Sequence, residues 1–204
     1  MKILIKTANI GNIDHPQQII AQSVQHDHIA FDQALPSMSN RLSARKLKTT
    51  CTQGYDLVIW LDHRVHVISP KFIEFVIDKM QGIDFLVAKH PDRNTLIEEY
   101  TYIMQNLESP YLQERYGNED WASEMYEYQK SNDATLVNTR FFAYRPNKKT
   151  VQTLMKKWWK EIEKHTLLDQ SQLTHLLHIA PKTLKYSLVT WVELNQHLKV
   201  FKHK

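Results

Sequence analysis

The chain has 204 residues, 42% of them apolar and 24% charged. That is the balance of an ordinary globular domain, and it excludes disordered and collagen-like classes. The formal charge of +4 and a pI near 9.0 point to anionic partners such as phosphates or nucleic acid, with a plain lysine-rich surface as the alternative.

"KILIKTA" alternates as a strand does. Lys6 interrupts what would be the apolar core of a targeting peptide, so no leader is expected. "NIGNIDHP" reads as a loop and "HIAF" as a short second strand. "SNRLSARKLKTTCTQG" carries helix signals: Ser39 or Asn40 to cap the start, Lys and Arg in later turns, Gly54 to close. "YDLVIWLD" is a near-continuous apolar run, suited to a central parallel strand covered on both faces. In "SPKFIEFVIDKMQG", Ser69 is placed to cap a helix, Pro70 to open it and Gly82 to end it. "DFLVAKH" is a further strand and "TLIEEYTYIMQNL" a further helix. Residues 110–130 are aromatic and charged, and should form helices and loops. "ATLVNTRFFAYR" is strand-like. "NKKTVQTLMKKWWKEIEKH" is a helix capped at Asn147, with Val151, Leu154, Met155, Trp158 and Ile162 on one face. "DQSQLTHLLHIA" is a short helix stopped by Pro181, "LKYSLV" a last strand, and "HLKVFKHK" a basic tail.

No repeat, low-complexity block or linker divides the chain, so residues 1–204 read as one domain. No run reaches the ~18 apolar residues of a membrane helix. The single cysteine, Cys51, excludes an internal disulfide and a cysteine-based zinc cluster, and suits a reducing cytoplasm. Strands alternating with helices predict an α/β sandwich whose central sheet is mostly parallel. Ligands bind such sheets beyond the carboxyl ends of strands. That places Thr7 to Asn9, Asp62 to His66 and Lys89 to Arg93 at candidate sites. There is no G-x-G-x-x-G, Walker P-loop or H-E-x-x-H.

Four constellations could carry chemistry. If the central strand continues past "WLDHR", Asp62, Arg64 and His66 share one side. The carboxylate could hold a hard cation bridging a diphosphate, and Arg64 could grip phosphate directly. In "AKHPDRNTLIEE", His90, Arg93, Glu98 and Glu99 sit at a strand-to-helix junction that suits anions. Glu98 is equally explained as part of a helix cap begun by Asn94 or Thr95. In "LLDQSQL", Asp169 reads as an N-cap, or as a general base or orienter of an acceptor. In "RLSARKLK", Arg41, Arg45 and Lys48 share a helix face that is either solvated or phosphate-facing.

Taken in order, these pieces resemble a GT-A-type glycosyltransferase-like family of bacteria, phages and plants that includes the plant mucilage-type transferases. "TANIGNID" is similar to that family's T-A-x-x-G-x-x-D, and "YDLVIWLDHRVHV" to its Y-D-x-x-I-W-[IL]-D strand. "SARKLK" resembles its basic helix and "KHPDRNTLIEE" its K-H-P-x-R-x-x-x-x-E segment. "NTRFFAYRPN", "WWKEI" and "LDQSQL" follow in the family's order, although Leu168 replaces an arginine. The resemblance implies a Rossmann-like GT-A domain with a nucleotide-sugar donor, a UDP-sugar first, and transfer of a hexosyl or pentosyl group. Thr7, Ala8 and Asn9 would meet the nucleotide, and Arg45 and Lys48 the donor phosphates. Asp62 would match the first acid of the metal-binding D-x-D, whose third position here is Arg64. Mn²⁺ or Mg²⁺ would then need His63 or His66 as a further ligand, and weak or absent metal dependence is expected. His90, Arg93, Glu98 and Glu99 would line the donor sugar or acceptor. Asp169 and Gln170 would complete the site, with Asp169 as first base, then Glu98 or Glu99. The acceptor is expected to be a polysaccharide, a lipid-linked sugar or, on the basic and tryptophan-rich composition, modified bases in DNA. A non-catalytic nucleic-acid-binding module is the remaining reading.

Overall fold

The computed structural model describes residues 1–11 and 16–201. Half of the "NIGNIDHP" loop, residues 12–15, and the last three residues of the basic tail lie outside the described residues.

In chain order the elements are β1 (Ile3–Ala8), β2 (Asp27–Phe31), α1 (Asn40–Thr49), β3 (Leu57–Asp62), β4 (Val65–Val67), α2 (Phe72–Lys79), β5 (Phe85–Lys89) and α3 (Leu96–Asn106). Then come α4 (Pro110–Tyr116), α5 (Trp121–Glu127), a 3₁₀ turn at Gln129–Ser131, β6 (Val137–Tyr144), α6 (Lys149–Lys164), α7 (Asp169–His178), β7 (Tyr186–Val189), α8 (Trp191–Leu194) and β8 (Leu198–Val200). Six strands form one sheet in the order β2-β1-β3-β6-β5-β7. β6 runs antiparallel to both neighbours, and the other pairings in this sheet are parallel.

The sheet is covered on both faces, as the apolar run of β3 requires. Leu4, Val58, Trp60 and Phe142 point to one side, where Leu47 of α1, Leu154 and Trp158 of α6, and Leu173 of α7 pack on them. Ile5, Ile59, Leu61 and Phe141 point to the other, against Phe72, Ile73 and Val76 of α2. A third apolar cluster, with Tyr100, Leu112 and Tyr128, fixes α3 and α4 beside the sheet.

Several expectations are corrected. β3 does not run on through His66: it ends at Asp62, the chain turns at His63 and Arg64, and Val65–Val67 pair with β8 in a separate two-stranded sheet. Val65 and Val67 are fully buried, and that burial redirects the chain. α2 begins at Phe72 rather than Pro70, while Ser69 Oγ accepts from the Lys71 amide at 3.3 Å. α6 starts without a side-chain cap, so Asn147 does not cap it. "LKYSLV" is not the last strand, because β8 follows within the basic tail. By contrast Ser39 caps α1 and Thr95 caps α3 as read.

Candidate functional site

A cavity of about 570 Å³ lies at the edge of the sheet where β1, β3 and β5 end. Because β6 is antiparallel, its first residues, Asn138, Thr139 and Arg140, reach the same edge and line the cavity too. α1 lines a further side with Arg41, Arg45 and Lys48, and Asp169 and Gln170 close it from the start of α7. The helical spacing of the three basic residues is what turns them together.

Lys48 is the most enclosed of these cations, at 2% exposure. Its Nζ lies 2.6 Å from Asp169 Oδ2 and 3.3 Å from Thr139 Oγ1. Thr139 donates to the same carboxylate oxygen at 3.0 Å, and Arg45 reaches Oδ1 at 3.3 Å. Asp169 is therefore not an N-cap: Leu168 holds that position, and the Asp169 carboxylate points into the charge cluster. Its backbone carbonyl accepts from Trp158 Nε1 at 2.8 Å. Burial opposes ionisation of Asp169, but Arg45 and Lys48 outweigh it and hold the carboxyl below its usual range. A carboxylate so stabilised is a weak base. Burial lowers the Lys48 pKa, with Asp169 opposing the change.

Asp62 sits at the end of β3 with His63 Nδ1 at 3.1 Å. Burial works against its charge, yet the His63 hydrogen bond and the positive charges of Lys48 and Arg64 pull its pKa well below the carboxylate range. The resemblance implies a divalent cation here. A hard cation needs several oxygen ligands. Among the described residues β3 offers the Asp62 carboxylate alone, with cations on either side of it. His66 does not supply a second ligand, since it lies in β4, packs against the tilted ring of Phe201 with centroids 4.3 Å apart, and does not line the cavity. His63 brings its Nδ1 to Asp62, which leaves one carboxylate and one imidazole between cations, a poor fit to the several oxygen ligands that Mn²⁺ or Mg²⁺ takes. Among the described residues one His/acid cluster has its ligand atoms close enough to hold an ion, Glu127 with Glu161 and His165, and none of its members lines the cavity.

On the far side Arg93 and Glu99 form a close ion pair, and Gln170 Nε2 donates to the other Glu99 oxygen at 2.6 Å. Burial raises the Glu99 pKa, against the pull of Arg93 and Gln170. His90 Nδ1 accepts the backbone amides of Asp92 and Arg93 at 3.2 and 3.1 Å. Burial, then the Arg93 guanidinium, push its pKa down to about 4. Glu98 is exposed, accepts from the Asn94 amide at 2.6 Å, and does not line the cavity. It braces the residue before the Thr95 cap and does not complete a capping box.

Of the remaining sequence candidates, Ala8 and Asn9 line the cavity, whereas Thr7 stands behind it with its hydroxyl 3.3 Å from His28 Nε2. Sequence reasoning missed Arg140, Trp60, and the tyrosines Tyr102 and Tyr111 at the rim. The readable signal for Arg140 was the polar triplet "NTR" opening an otherwise apolar strand. The carboxyl-end rule, applied to every strand alike, hides the first residues of an antiparallel one. Trp60 is 2% exposed and its indole N–H has no acceptor among the described residues.

No family model matches the chain, and no curated protein does. Among solved structures, the WbbM bifunctional glycosyltransferase in its apo form aligns over 93% of this chain at 13% identity with a TM-score of 0.50. The fold is GT-A-like. This chain covers 45% of the WbbM chain, less than half its length. Mouse xyloside xylosyltransferase 1, also apo, aligns over 93% of this chain and 85% of its own, at 7% identity and a TM-score of 0.43. No helix among the described residues is long and apolar enough to cross a membrane.

Proposed function

We propose that the protein transfers a hexosyl or pentosyl group from a nucleotide sugar, a UDP-sugar first, to a hydroxyl of a glycan or lipid-linked sugar. One observation carries this reading. A single cavity of about 570 Å³, within the usual size range of ligand pockets, joins the end of β1, the Asp62 end of β3 and the Arg93–Glu99 pair of a GT-A-like sheet.

Ala8 and Asn9 take the nucleoside end. In the transfer, the bond from the anomeric carbon to the phosphate oxygen breaks and its electron pair stays on that oxygen. The acceptor oxygen bonds to the anomeric carbon, and its proton passes to Glu99. Glu99 suits this role better than Asp169, because burial raises its proton affinity while the cations around Asp169 lower that of Asp169. Asp169 instead positions Lys48 and Arg45. Tyr102 and Tyr111 stand exposed at the rim, where aromatic rings suit sugar rings, and Arg93 lies over the Tyr102 ring at 4.2 Å. None of the lysines of α6 lines the cavity, so the basic helix offers no continuous track for a DNA backbone into the site.

The test is thermal denaturation with UDP-, GDP- and CMP-sugars and with duplex DNA at low salt. A ligand bound only by the folded state raises the melting temperature. One nucleotide sugar should raise it by several degrees, and DNA should not. Absence of a shift with any nucleotide sugar overturns the reading. A shift with DNA alone replaces it with nucleic-acid binding.

A further inference from the structure

The cations of the cavity are unevenly matched. Lys48 and Arg45 share Asp169, Arg93 holds Glu99, and Arg41 reaches Glu119 at 3.5 Å. Arg64 and Arg140 have no such match: no carboxylate of the described residues comes within 4.0 Å of either guanidinium. Both line the cavity and both are partly buried. Arg64 Nε is shut off from solvent and has no hydrogen-bond partner among the described residues. Arg64 lies in the turn after β3, and Arg140 on the neighbouring strand β6. β3 pairs with β6 through Leu61 and Phe141, so one step further the register sets Asp62 opposite Arg140, with Arg64 in the turn beyond. They are close enough to repel: burial and then the charge of Arg64 lower the Arg140 pKa, with Asp62 and Asp92 opposing.

A partly buried guanidinium without a partner is costly, and two side by side are more so. Two such cations on one cavity wall suit an anionic ligand. The planar guanidinium fork fits phosphate oxygens two at a time. We infer that Arg64 and Arg140 together seat the diphosphate of the donor and hold its charge as it leaves, without a divalent cation. The inference rests on the nucleotide-sugar reading and adds Arg140 as a binding residue. When the anomeric carbon–oxygen bond breaks, the electron pair left on the phosphate oxygen adds negative charge. Two fixed cations stabilise that charge with no reorganisation. Arg64 thus stands in the chain where a metal-binding acid would otherwise be, and Arg140 supplies the second positive charge from the antiparallel strand.

The experiment is calorimetric titration of the full chain in EDTA with inorganic pyrophosphate, with UDP, GDP and ADP, and with uridine. Arg64→Gln and Arg140→Gln are compared with wild type, and each free protein is melted without ligand. Binding of pyrophosphate and of one nucleoside diphosphate should persist in EDTA and change less than about twofold when Mn²⁺ replaces it. Each substitution should weaken that binding by about tenfold or more, the scale of a lost charge-assisted hydrogen bond. Without ligand, each variant should melt near wild type, because the repulsion removed between the two guanidinium groups offsets the attraction to Asp62 that is lost with it. A purely structural arginine would lower the melting temperature, and that result, or wild-type affinity in both variants, overturns the inference. So does binding abolished by EDTA and restored by Mn²⁺. If pyrophosphate binds through the two arginines and no nucleoside diphosphate binds better, the anion site stands and the nucleotide-sugar reading falls. If a nucleoside diphosphate binds at wild-type strength to both variants, the reverse holds.

Discussion

Asp169 carries its charge at 4% exposure, and its neighbours explain how. Lys48 and Arg45 each meet one of its oxygens, and Thr139 adds a neutral donor. Removing the carboxylate charge would leave Lys48 buried without its counter-ion. Asp169→Asn should therefore destabilise the fold by about 3–5 kcal/mol, the usual scale for breaking a buried pair. Urea denaturation would measure it, and a loss below roughly 1 kcal/mol would show that the cluster is wet. Glu99→Gln is a different experiment. The amide keeps an oxygen for Arg93 and loses the capacity to take a proton. Its folding stability should fall as well, because the amide leaves Arg93 without its counter-charge and turns an N–H against either Arg93 or Gln170, so turnover is compared per folded molecule and should fall by about 10²–10⁴, the range for a general base. A variant with unchanged turnover would remove Glu99 from the reaction. The two substitutions separate a residue that holds the site together from one that acts in it.

At the level of elements, the junction between β5 and α3 makes its own prediction. His90 Nδ1 accepts two backbone amides, so a proton there would face two hydrogens. Its pKa in the fold is about 4, against about 6.5 for a free imidazole. The folded pKa is depressed, so its contribution to stability is complete above about 6.5 and declines as the pH falls toward 4. Urea midpoints should drop across that window, and a His90→Asn variant should show a flatter profile. Equal slopes would assign the effect to other groups. This junction was partly legible in the sequence. Thr95 read as a cap and is one, but the capping box does not close, because the Glu98 carboxylate bonds the Asn94 amide, one residue before the cap. The caps read at Ser69 and Asn147 failed for an energetic reason. A cap contributes about 1 kcal/mol, whereas each buried apolar side chain contributes roughly 1.5–3 kcal/mol. The packing of Phe72 and Val151 sets where those helices begin. The turn after Asp62 was illegible for the same reason: continuation and reversal both bury Val65 and Val67, and only the partner strand β8, more than a hundred residues on, decides between them.

Across the whole molecule, α/β alternation was readable from periodicity, but strand order was not. The antiparallel insertion of β6 between β3 and β5 depends on long-range pairing, and it is the feature that delivers Thr139 and Arg140 to the cavity. The same face of the sheet joins core and site through Trp158. Its ring is fully buried, meets Phe142 edge-on at 5.5 Å, and its N–H holds the Asp169 carbonyl. Trp158 lines no part of the cavity, yet it fixes the first turn of α7 and hence the carboxylate that orders Lys48 and Arg45. Trp158→Phe keeps an aromatic ring and deletes the donor. It should cost about 0.5–1.5 kcal/mol for the lost hydrogen bond, since the carbonyl keeps its place in the α7 ladder, with more for the smaller ring, and should also weaken binding of pyrophosphate. Ile162→Val, on the same buried face of α6, should cost about 0.5–1.5 kcal/mol and leave that affinity unchanged. Calorimetry on both variants, each checked by its melting temperature, separates the two effects. Equal affinities would mean that the core supports the site only by keeping the chain folded. A selective loss in Trp158→Phe would mean that the orientation of Asp169 is set from within the core, one hydrogen bond behind the charges that face the ligand.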